Sequence, residues 1–172
     1  MAIRIIRVSG DEILTKVAKK VDEIDEKVKE LVKDMIETLH HYDGIGLAAT
    51  QVGILKRIAV IDLYEEGKEP FVLINPEIIS SEGEQTVDEG CLSFPNQFAK
   101  VVRPKKVVIR AQDIDGNYCR LEAEELLAQA IAHEVDHLNG ELFVNKVIPG
   151  TLETITEKPK EDAKKLLKRK EE

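Results

Sequence analysis

The segment HEVDHLNGELF, residues 133–143, holds two of the four histidines of the chain and decides how the fold is interpreted. His133 and His137 are four residues apart, so both side chains project from the same face of an α-helix. Glu134 completes the pattern H-E-x-x-H, in which two imidazole rings hold a metal ion and the carboxylate transfers protons. A tetrahedral catalytic site uses three protein ligands and one open position. The segment therefore predicts a metal site whose third ligand lies elsewhere.

The helix that carries this pattern is predicted over residues 124–139 and ends at Gly140. We expect it to be buried, because its other side chains are mostly apolar: Leu126, Leu127, Ala130, Ile131, Val135 and Leu138. Two buried histidines and a glutamate without partners would be costly, and a shared metal ion removes that cost. Asp136 is a further acceptor that could hold a ligand in place. The alternative is a helix whose His and Glu side chains face solvent or form hydrogen bonds in the core.

The residues that follow do not supply the missing ligand in either of two common ways. In the pattern H-E-x-x-H-x-x-G-x-x-H the last histidine stands six residues after the second, and that position is Phe143. This chain therefore lacks the third histidine that defines the metzincin proteases. In thermolysin-like sites a later glutamate completes the set, which leaves Glu153 and Glu161 as alternatives that nothing places in a core.

Four other side chains are available as ligands. His40 and His41 lie at the predicted end of a helix, where the helix dipole stabilises a cationic side chain. Cys119 lies in a predicted hairpin and is interpreted as a packed thiol. Cys91 lies in EGCLSFP, a loop flanked by glycine and proline in which the chain can approach a ligand closely. By its position Cys91 is the favoured ligand, and a buried loop cysteine is its alternative role.

Composition and charge restrict the functional classes. The 172-residue chain has a net charge of −8, so sequence-independent binding to DNA or RNA is not expected. No run approaches the ~18 apolar residues of a membrane span, and MAIRIIRVSGDEIL has too short an apolar run for a signal peptide. Two cysteines suit a reducing compartment. We therefore expect a cytoplasmic protein with one catalytic domain over residues 1–172.

The remaining sequence predicts helices and strands of the α+β class. An amphipathic helix is predicted over 24–41, with Asp25 as its N-cap and Gly44 as its stop. A charged helical tail is predicted over about 158–172, with a ribosome contact or disorder as its alternatives. The other segments are a loop or irregular strand over 44–53, strands over 57–63 and 71–79 (the second broken at Asn75-Pro76), a loop over 87–95 and a β-hairpin over 105–124.

Three segments together resemble the signature motifs of the peptide deformylase family: GIGLAATQVG (44–53), EGCLS (89–93) and HEVDHLNG (133–140). They stand in the order found in the family, at compatible separations, and the resemblance covers nearly the whole chain. It implies an α+β fold in which small mixed or antiparallel sheets pack around a central helix carrying H-E-x-x-H. An N-terminal amphipathic helix and a C-terminal helix complete the implied fold.

The resemblance also implies a cofactor and a reaction. Cys91, His133 and His137 would ligate one divalent metal ion, typically Fe²⁺, with Zn²⁺, Ni²⁺ or Co²⁺ able to replace it. Water or hydroxide would take the fourth position and attack the formyl carbonyl, with Glu134 as general base and acid. The reaction removes the N-formyl group from the N-terminal formylmethionine of newly synthesised polypeptides and releases formate. N-formylmethionyl nascent peptides are therefore the expected partners.

The remaining site residues follow from the same resemblance. The side chain of Gln51 and the backbone N–H of Leu92 would form the oxyanion hole. If the backbone over 44–48 is extended and exposed, a peptide could add to it as another strand. The implied substrate-binding residues, which include a methionine pocket, are Gly44, Ile45, Gly46, Glu89, Gly90, Leu126, Gln129 and Ala130. Plain core packing is their alternative role.

Several positions depart from the family pattern: Thr50, Phe98, Ala132 and Asn145, where many relatives carry Pro, Arg, Gln and Asp. None is an implied ligand or the general base, but Phe98 changes the surface expected to meet the peptide tail. Two other functional classes remain as alternatives. A different metallopeptidase is disfavoured by Phe143, and a non-catalytic module that docks on ribosomes is disfavoured by the intact set of site residues.

Overall fold

The computed structural model describes residues 2–155, which form two α-helices and a six-stranded antiparallel sheet. The predicted α+β class is thereby confirmed. The helices are α1 (Glu26–His41) and α2 (Glu125–Leu138), and the strands are β1 (Gly46–Ala48), β2 (Ile58–Ile61), β3 (Phe71–Cys91), β4 (Phe94–Gln112), β5 (Tyr118–Glu124) and β6 (Glu153–Thr154). Residues 1 and 156–172 lie outside the description, and so does the tail predicted over 158–172. No helix within residues 2–155 combines the length and apolar character needed to cross a membrane.

The sheet has the strand order β1-β2-β3-β4-β5, and the short β6 pairs with β4. β1 is an edge strand, because β2 is its one partner among the described strands. β3 and β4 are 21 and 19 residues long and are joined by a two-residue turn, Leu92–Ser93. We call this pair the β3–β4 ribbon. β4 and β5 form the hairpin that the sequence predicts over 105–124.

The β3–β4 ribbon corrects the prediction that Asn75-Pro76 breaks a strand. The ladder shifts register between Ile74 and Glu77, so the chain forms a bulge and the strand continues. A bulge tolerates proline, which has no N–H to donate to the ladder. Asn75 adopts the left-handed region with φ +52°, a conformation that asparagine tolerates better than most residues.

The predicted loop over 87–95 is also mostly strand. β3 continues to Cys91 and β4 begins at Phe94, so that two residues form the turn. The sequence hides this strand because the buried side chains on this part of the ribbon include Glu89 and Arg103, which form an ion pair. Strands are recognised by alternating apolar residues, and here charged residues occupy the buried positions.

Helix α1 begins where the sequence predicts. Asp25 caps it by accepting a hydrogen bond from the N–H of Val28 at 2.9 Å. The helix ends at His41, and the chain leaves it through Asp43, at φ +52°, instead of through Gly44. The apolar face of α1 packs against β1, β2 and β3 in one part of the core, and α2 packs against the ribbon and β5 in another.

The N-terminal strap, residues 2–9, has no regular secondary structure. Its backbone nevertheless forms hydrogen bonds with two parts of the chain that are far apart in sequence. The N–H of Arg7 donates to the carbonyl of Gln51 at 2.7 Å, and the N–H of Ser9 donates to the carbonyl of Ser93 at 2.9 Å. The strap therefore links the segment after β1 to the turn of the β3–β4 ribbon.

Candidate metal centre and cleft

Three side chains converge where the β3–β4 ribbon meets α2. His133 and His137 lie one turn apart on α2, and Cys91 is the last residue of β3. The Nε2 atoms of the histidines are 3.2 Å apart, and Cys91 Sγ is 3.2 Å from His137 Nε2. Ligand atoms around a tetrahedral ion, at ~2.1 Å for nitrogen and ~2.3 Å for sulfur, lie about 3.3–3.7 Å apart. The two measured separations of 3.2 Å are slightly shorter than this range, and all three ligand atoms lie within 4.8 Å of one another, which is compatible with one small metal ion.

His133 is held by a chain of charged side chains that runs from the buried Glu89 and Arg103 to Lys146 at the surface. Its Nδ1 is hydrogen-bonded to the Glu89 carboxylate, which also accepts from Arg103 Nε at 2.9 Å. Arg103 donates through Nη1 to Asp136 at 2.5 Å, and Asp136 accepts from Lys146 Nζ at 2.9 Å. Burial raises the pKa of Glu89, but hydrogen bonds from His133 and Arg103 outweigh burial and lower the pKa to about 2. These partners fix the ring of His133 with Nε2 directed at the other two side chains.

Sequence reasoning missed Arg103 and assigned Glu89 to the substrate. Glu89 does line the cleft, but its carboxylate is occupied by Arg103 and His133. The sequence does contain one indication that Arg103 is buried. It follows Ala99 and Val101 at every second position of β4, and those two side chains face the core. An arginine at a buried position requires an acidic partner. Glu89 supplies it from the neighbouring strand, where it lies opposite Ala99, four residues along the ladder from Arg103.

The donor chemistry of the three side chains suits a divalent cation. Burial lowers the pKa of His137. Burial also lowers the pKa of His133, but its hydrogen bonds to Cys91 and Glu89 outweigh burial and raise that pKa, so an ion bound there would displace a proton from His133. A neutral imidazole is the form that binds metal. Nitrogen and thiolate donors together favour Fe²⁺, Zn²⁺ and related ions over Mg²⁺ or Ca²⁺.

Glu134 directly follows His133 on α2 and is itself buried, with 3% of its surface exposed. Burial raises its pKa to about 7, even though the neighbouring His133 opposes the increase. Its Oε2 atom has no hydrogen-bond partner within residues 2–155. Gly46 allows this placement, because a Cβ there would lie 2.9 Å from Cδ of Glu134. Glu134 is thus a carboxyl group that can carry a proton near neutral pH.

The amide of Gln51 is oriented by its own hydrogen bonds. Its Oε1 accepts from the N–H of Ala48 at 2.9 Å, which turns Nε2 towards Ser93 Oγ at 3.1 Å and Cys91 Sγ at 3.5 Å. Leu92 lies between these two residues in the turn of the β3–β4 ribbon and lines the same cleft. The Gln51 amide and the turn of the β3–β4 ribbon therefore both lie beside Cys91. Ser93 was not singled out from the sequence, where nothing marks it as a partner of Gln51.

A cleft of about 700 Å³ opens in front of this centre. All eight predicted substrate-binding residues line it, as do Gln51, Cys91, Leu92, His133 and Glu134, whereas His137 lies behind the surface. Gly46 brings the edge strand β1 into the wall of the cleft. Half-exposed apolar side chains border the opening, among them Ile45, Leu126 and Phe98. The sequence did not predict that the strap contributes Ile6 and Val8 to the lining.

The other residues considered as ligands lie apart from the centre. Cys119 is exposed on β5, so its prediction as a packed thiol is wrong, because this face of the edge strand is open to solvent. His40 pairs with Asp62 at 2.7 Å, and Glu153 is exposed in β6. Glu161 lies outside the described residues. Within residues 2–155, Cys91, His133 and His137 are the one group of three or more His, Cys, Asp or Glu side chains placed to hold an ion.

The chain is similar to known sequences over most of its length. The sequence profile described as polypeptide deformylase matches residues 3–152. A protein named peptide deformylase from Agathobacter rectalis is 53% identical over 156 residues, which cover 91% of this chain and 96% of that protein. Another of that name, from Acetivibrio thermocellus, is 54% identical over 148 residues, which cover 86% of this chain and 85% of the relative.

Solved structures with the same fold carry the same name. The crystal structure of a peptide deformylase from Legionella pneumophila matches with a TM-score of 0.83 and 45% identity, covering 86% of this chain and 88% of that one. A peptide deformylase from Synechococcus elongatus, solved in complex with actinonin, matches with a TM-score of 0.83 and 43% identity, covering 86% and 82%.

Proposed function

Because the chain belongs to the polypeptide deformylase family, a family of hydrolases, we propose that it removes the N-formyl group from the N-terminal formylmethionine of newly synthesised polypeptides and releases formate. The observation that carries the proposal is the Cys-His-His group beside the buried Glu134, in a cleft walled by an edge strand. We propose that the whole chain, residues 1–172, acts as one catalytic unit. Location in the cytoplasm and a ribosome contact stay predictions.

We propose that Cys91, His133 and His137 hold one divalent metal ion, natively Fe²⁺, with Zn²⁺, Ni²⁺ or Co²⁺ as replacements. Their spacing and donor types support this assignment. When bound, such an ion acts as a Lewis acid and lowers the pKa of water from ~15.7 towards ~7. The thiolate of Cys91 is the oxidisable member of the set, so the enzyme is expected to lose activity in air.

Glu134 is proposed to move the proton that the hydrolysis requires. Its carboxylate takes a proton from the attacking water and later delivers it to the nitrogen of the leaving amine. Burial raises the pKa of this carboxyl above that of a surface glutamate, which makes it a better proton acceptor. The unpartnered Oε2 atom supports the assignment, since this atom is free to accept the proton.

Gln51 and Leu92 are proposed to stabilise the oxyanion that forms on the formyl carbonyl. Gln51 Nε2 is already aimed towards Cys91 by the hydrogen bond that Oε1 receives from Ala48. Fixed donors of this kind need no reorganisation when the charge develops, and each lowers the barrier by ~3–4 kcal/mol. The backbone N–H of Leu92 in the adjacent turn is the proposed second donor.

The substrate is proposed to bind as an added strand. Among the strands of residues 2–155, β1 pairs on one side alone and lies beside the cleft, and pairing of a peptide with its other edge gives affinity without reading the peptide side chains. The methionine side chain is proposed to enter between Ile45, Leu126 and Ala130, where the small Ala130 leaves room for a flexible thioether. Phe98 replaces the arginine expected from the family and offers an apolar surface to later residues of the peptide.

The proposed reaction is tested with protein purified without oxygen. We expect about one metal ion per chain and release of formate from formyl-Met peptides, but no cleavage of acetyl-Met peptides or of internal peptide bonds. Cys91→Ala should lose most of the metal and the activity, whereas the matched variant Cys119→Ala should keep both. Metal-loaded protein that cleaves internal peptide bonds and releases no formate would establish a different metallopeptidase. Metal-loaded protein that binds formyl peptides without turnover would establish a binding module.

A further inference from the structure

The segment that leads into β1 is held from outside the cleft by Tyr64. We infer that Tyr64 is a positioning residue for substrate binding, because its hydroxyl fixes the backbone at Gly44 and thereby the edge strand with which the peptide pairs. This inference rests on the proposed function. It concerns a residue that does not line the cleft and that the sequence motifs do not include.

Gly44 is held at both of its backbone groups. Its N–H donates to the carbonyl of Leu39 in α1 at 3.0 Å, and its carbonyl accepts from the Tyr64 hydroxyl at 2.6 Å. The preceding Asp43 adopts φ +52°, so the chain changes direction immediately before this point. A glycine in such a position is free to move unless its backbone is bound. The hydrogen bond from the Tyr64 hydroxyl therefore restricts the backbone conformation at Gly44, which a glycine would otherwise leave flexible.

Tyr64 is fixed in a conformation that its side chain does not favour. Its φ of +55° lies in the left-handed region, which a bulky residue rarely adopts unless its surroundings impose it. The Asp62 carboxylate imposes it by accepting from the Tyr64 N–H at 2.7 Å. The same carboxylate pairs with His40 Nε2 at 2.7 Å, and the His40 and Tyr64 rings lie 5.6 Å apart. Strain that is held in this way points to a functional constraint.

The same residues secure the next position of the chain. The N–H of Asp62 donates to the carbonyl of Ile45 at 2.8 Å. Asp62 thus holds Ile45 directly and Gly44 through Tyr64, and both residues line the cleft. Loss of the hydroxyl should loosen Gly44 while Ile45 stays bound. We therefore expect weaker pairing with the peptide and little change at the metal centre.

The test is Tyr64→Phe, which removes the hydroxyl alone. We expect the KM of a formyl-Met tripeptide to rise about threefold to tenfold, the change that follows from one lost hydrogen bond. The KM of formyl-Met amide should change less, because it forms few contacts with the strand, and kcat for both should stay within about twofold. Tyr118→Phe is the matched control, since Tyr118 is equally exposed and lies on β5, the other edge of the sheet.

The outcomes separate the inference from the proposed function. Equal KM changes for both substrates, or none, would overturn the inference while leaving the function intact. A fall in kcat together with loss of metal would make Tyr64 a structural residue and would also overturn it. Wild-type protein that is loaded with metal and releases no formate would contradict the proposed function itself.

Discussion

Glu134 is the residue whose environment departs most from that of a surface carboxylate. It is buried beside two proposed ligands, in a space where the backbone of Gly46 lies so close that any side chain there would collide with it. A residue that only filled this space could be replaced by an isostere without consequence. A residue that moves a proton could not, so the two roles are separable by a substitution that preserves shape.

Glu134→Gln should reduce kcat at least about 100-fold, because the amide cannot accept a proton from water. The metal content should stay near that of the wild type, since Glu134 is not placed as a ligand. Formate release and metal analysis on the same sample measure both quantities. Glu141→Gln, an exposed change just beyond α2, is the control and should alter neither. Loss of metal from Glu134→Gln would show that its role has been assigned wrongly.

The residues of the site were predictable to the extent that their chemistry is unusual. His133 and His137 followed from the H-E-x-x-H pattern, Cys91 was favoured by its loop and implied by the family resemblance, and the structure brings the three together. The charged side chains that hold His133 in place could not be predicted in the same way. Arg103 looks like any strand arginine in the sequence, and Glu89 acquires its role only because the ribbon places it against both Arg103 and His133.

At the level of elements, the N-terminal strap is the part that the sequence least reveals. It has neither helical nor strand periodicity, and its order comes from partners in distant segments. At its start, Asp34 of α1 accepts hydrogen bonds from the N–H of Ala2 at 2.8 Å and from Arg4 Nη2 at 2.8 Å. At its other end, Arg7 and Ser9 form hydrogen bonds with Gln51 and Ser93. The strap therefore connects α1 with Gln51 and with the turn that contains Leu92, the two proposed oxyanion donors.

Asp34→Asn should lower the free energy of unfolding by about 1–2 kcal/mol at pH 7, the lower part of the range for charged hydrogen bonds, since Arg4 is one-third exposed. Burial raises the pKa of Asp34, but the hydrogen bonds from Ala2 and Arg4 outweigh burial and hold the pKa below 3.8. The contribution is therefore present above pH ~4 and is lost as the pH falls through the lowered pKa.

Urea unfolding of both proteins between pH 7 and pH 3 measures this contribution. The difference between wild type and Asp34→Asn should shrink as the solution becomes acidic. Glu30→Gln, on the exposed side of the same helix, should match the wild type at every pH. A difference that grows at low pH would contradict the proposed role of the ion pair.

The long strands β3 and β4 show why the ends of helices and strands were harder to predict than their presence. Helix α1 and the β4–β5 hairpin follow from apolar periodicity and turn residues, and both are present. The β3–β4 ribbon contains prolines, glycines and buried charges, each of which normally ends a strand. Its continuity depends on a bulge at Asn75-Pro76 and on the Glu89–Arg103 pair, which are contacts between distant residues.

For the whole molecule, the proposed metal ion would join two parts of the core. α2 packs with β4 and β5, while the tip of the β3–β4 ribbon packs with residues after α2 around Phe94 and Phe143. An ion bound only by the folded chain adds its binding free energy to stability, about 2.7 kcal/mol at a metal concentration 100 times the Kd.

Addition of a chelator should therefore lower the Tm of the metal-loaded protein by about 5–10 °C, as expected for a chain of this size. Scanning calorimetry without oxygen measures the shift. Cys91→Ala should have a Tm near that of the chelated protein and should not respond to the chelator. An equal response of both proteins would mean that the stabilising ion binds elsewhere.

The separation of the three ligands along the chain also sets an order of assembly during synthesis. The β3–β4 ribbon pairs segments that are adjacent in sequence, so its hydrogen bonds can form outward from the turn at Leu92–Ser93 soon after both strands are translated. Helix α2 is made later, because translation proceeds from the N-terminus. We therefore expect the two histidines to meet the ribbon late in folding, so that binding of the proposed metal ion would be one of the last steps.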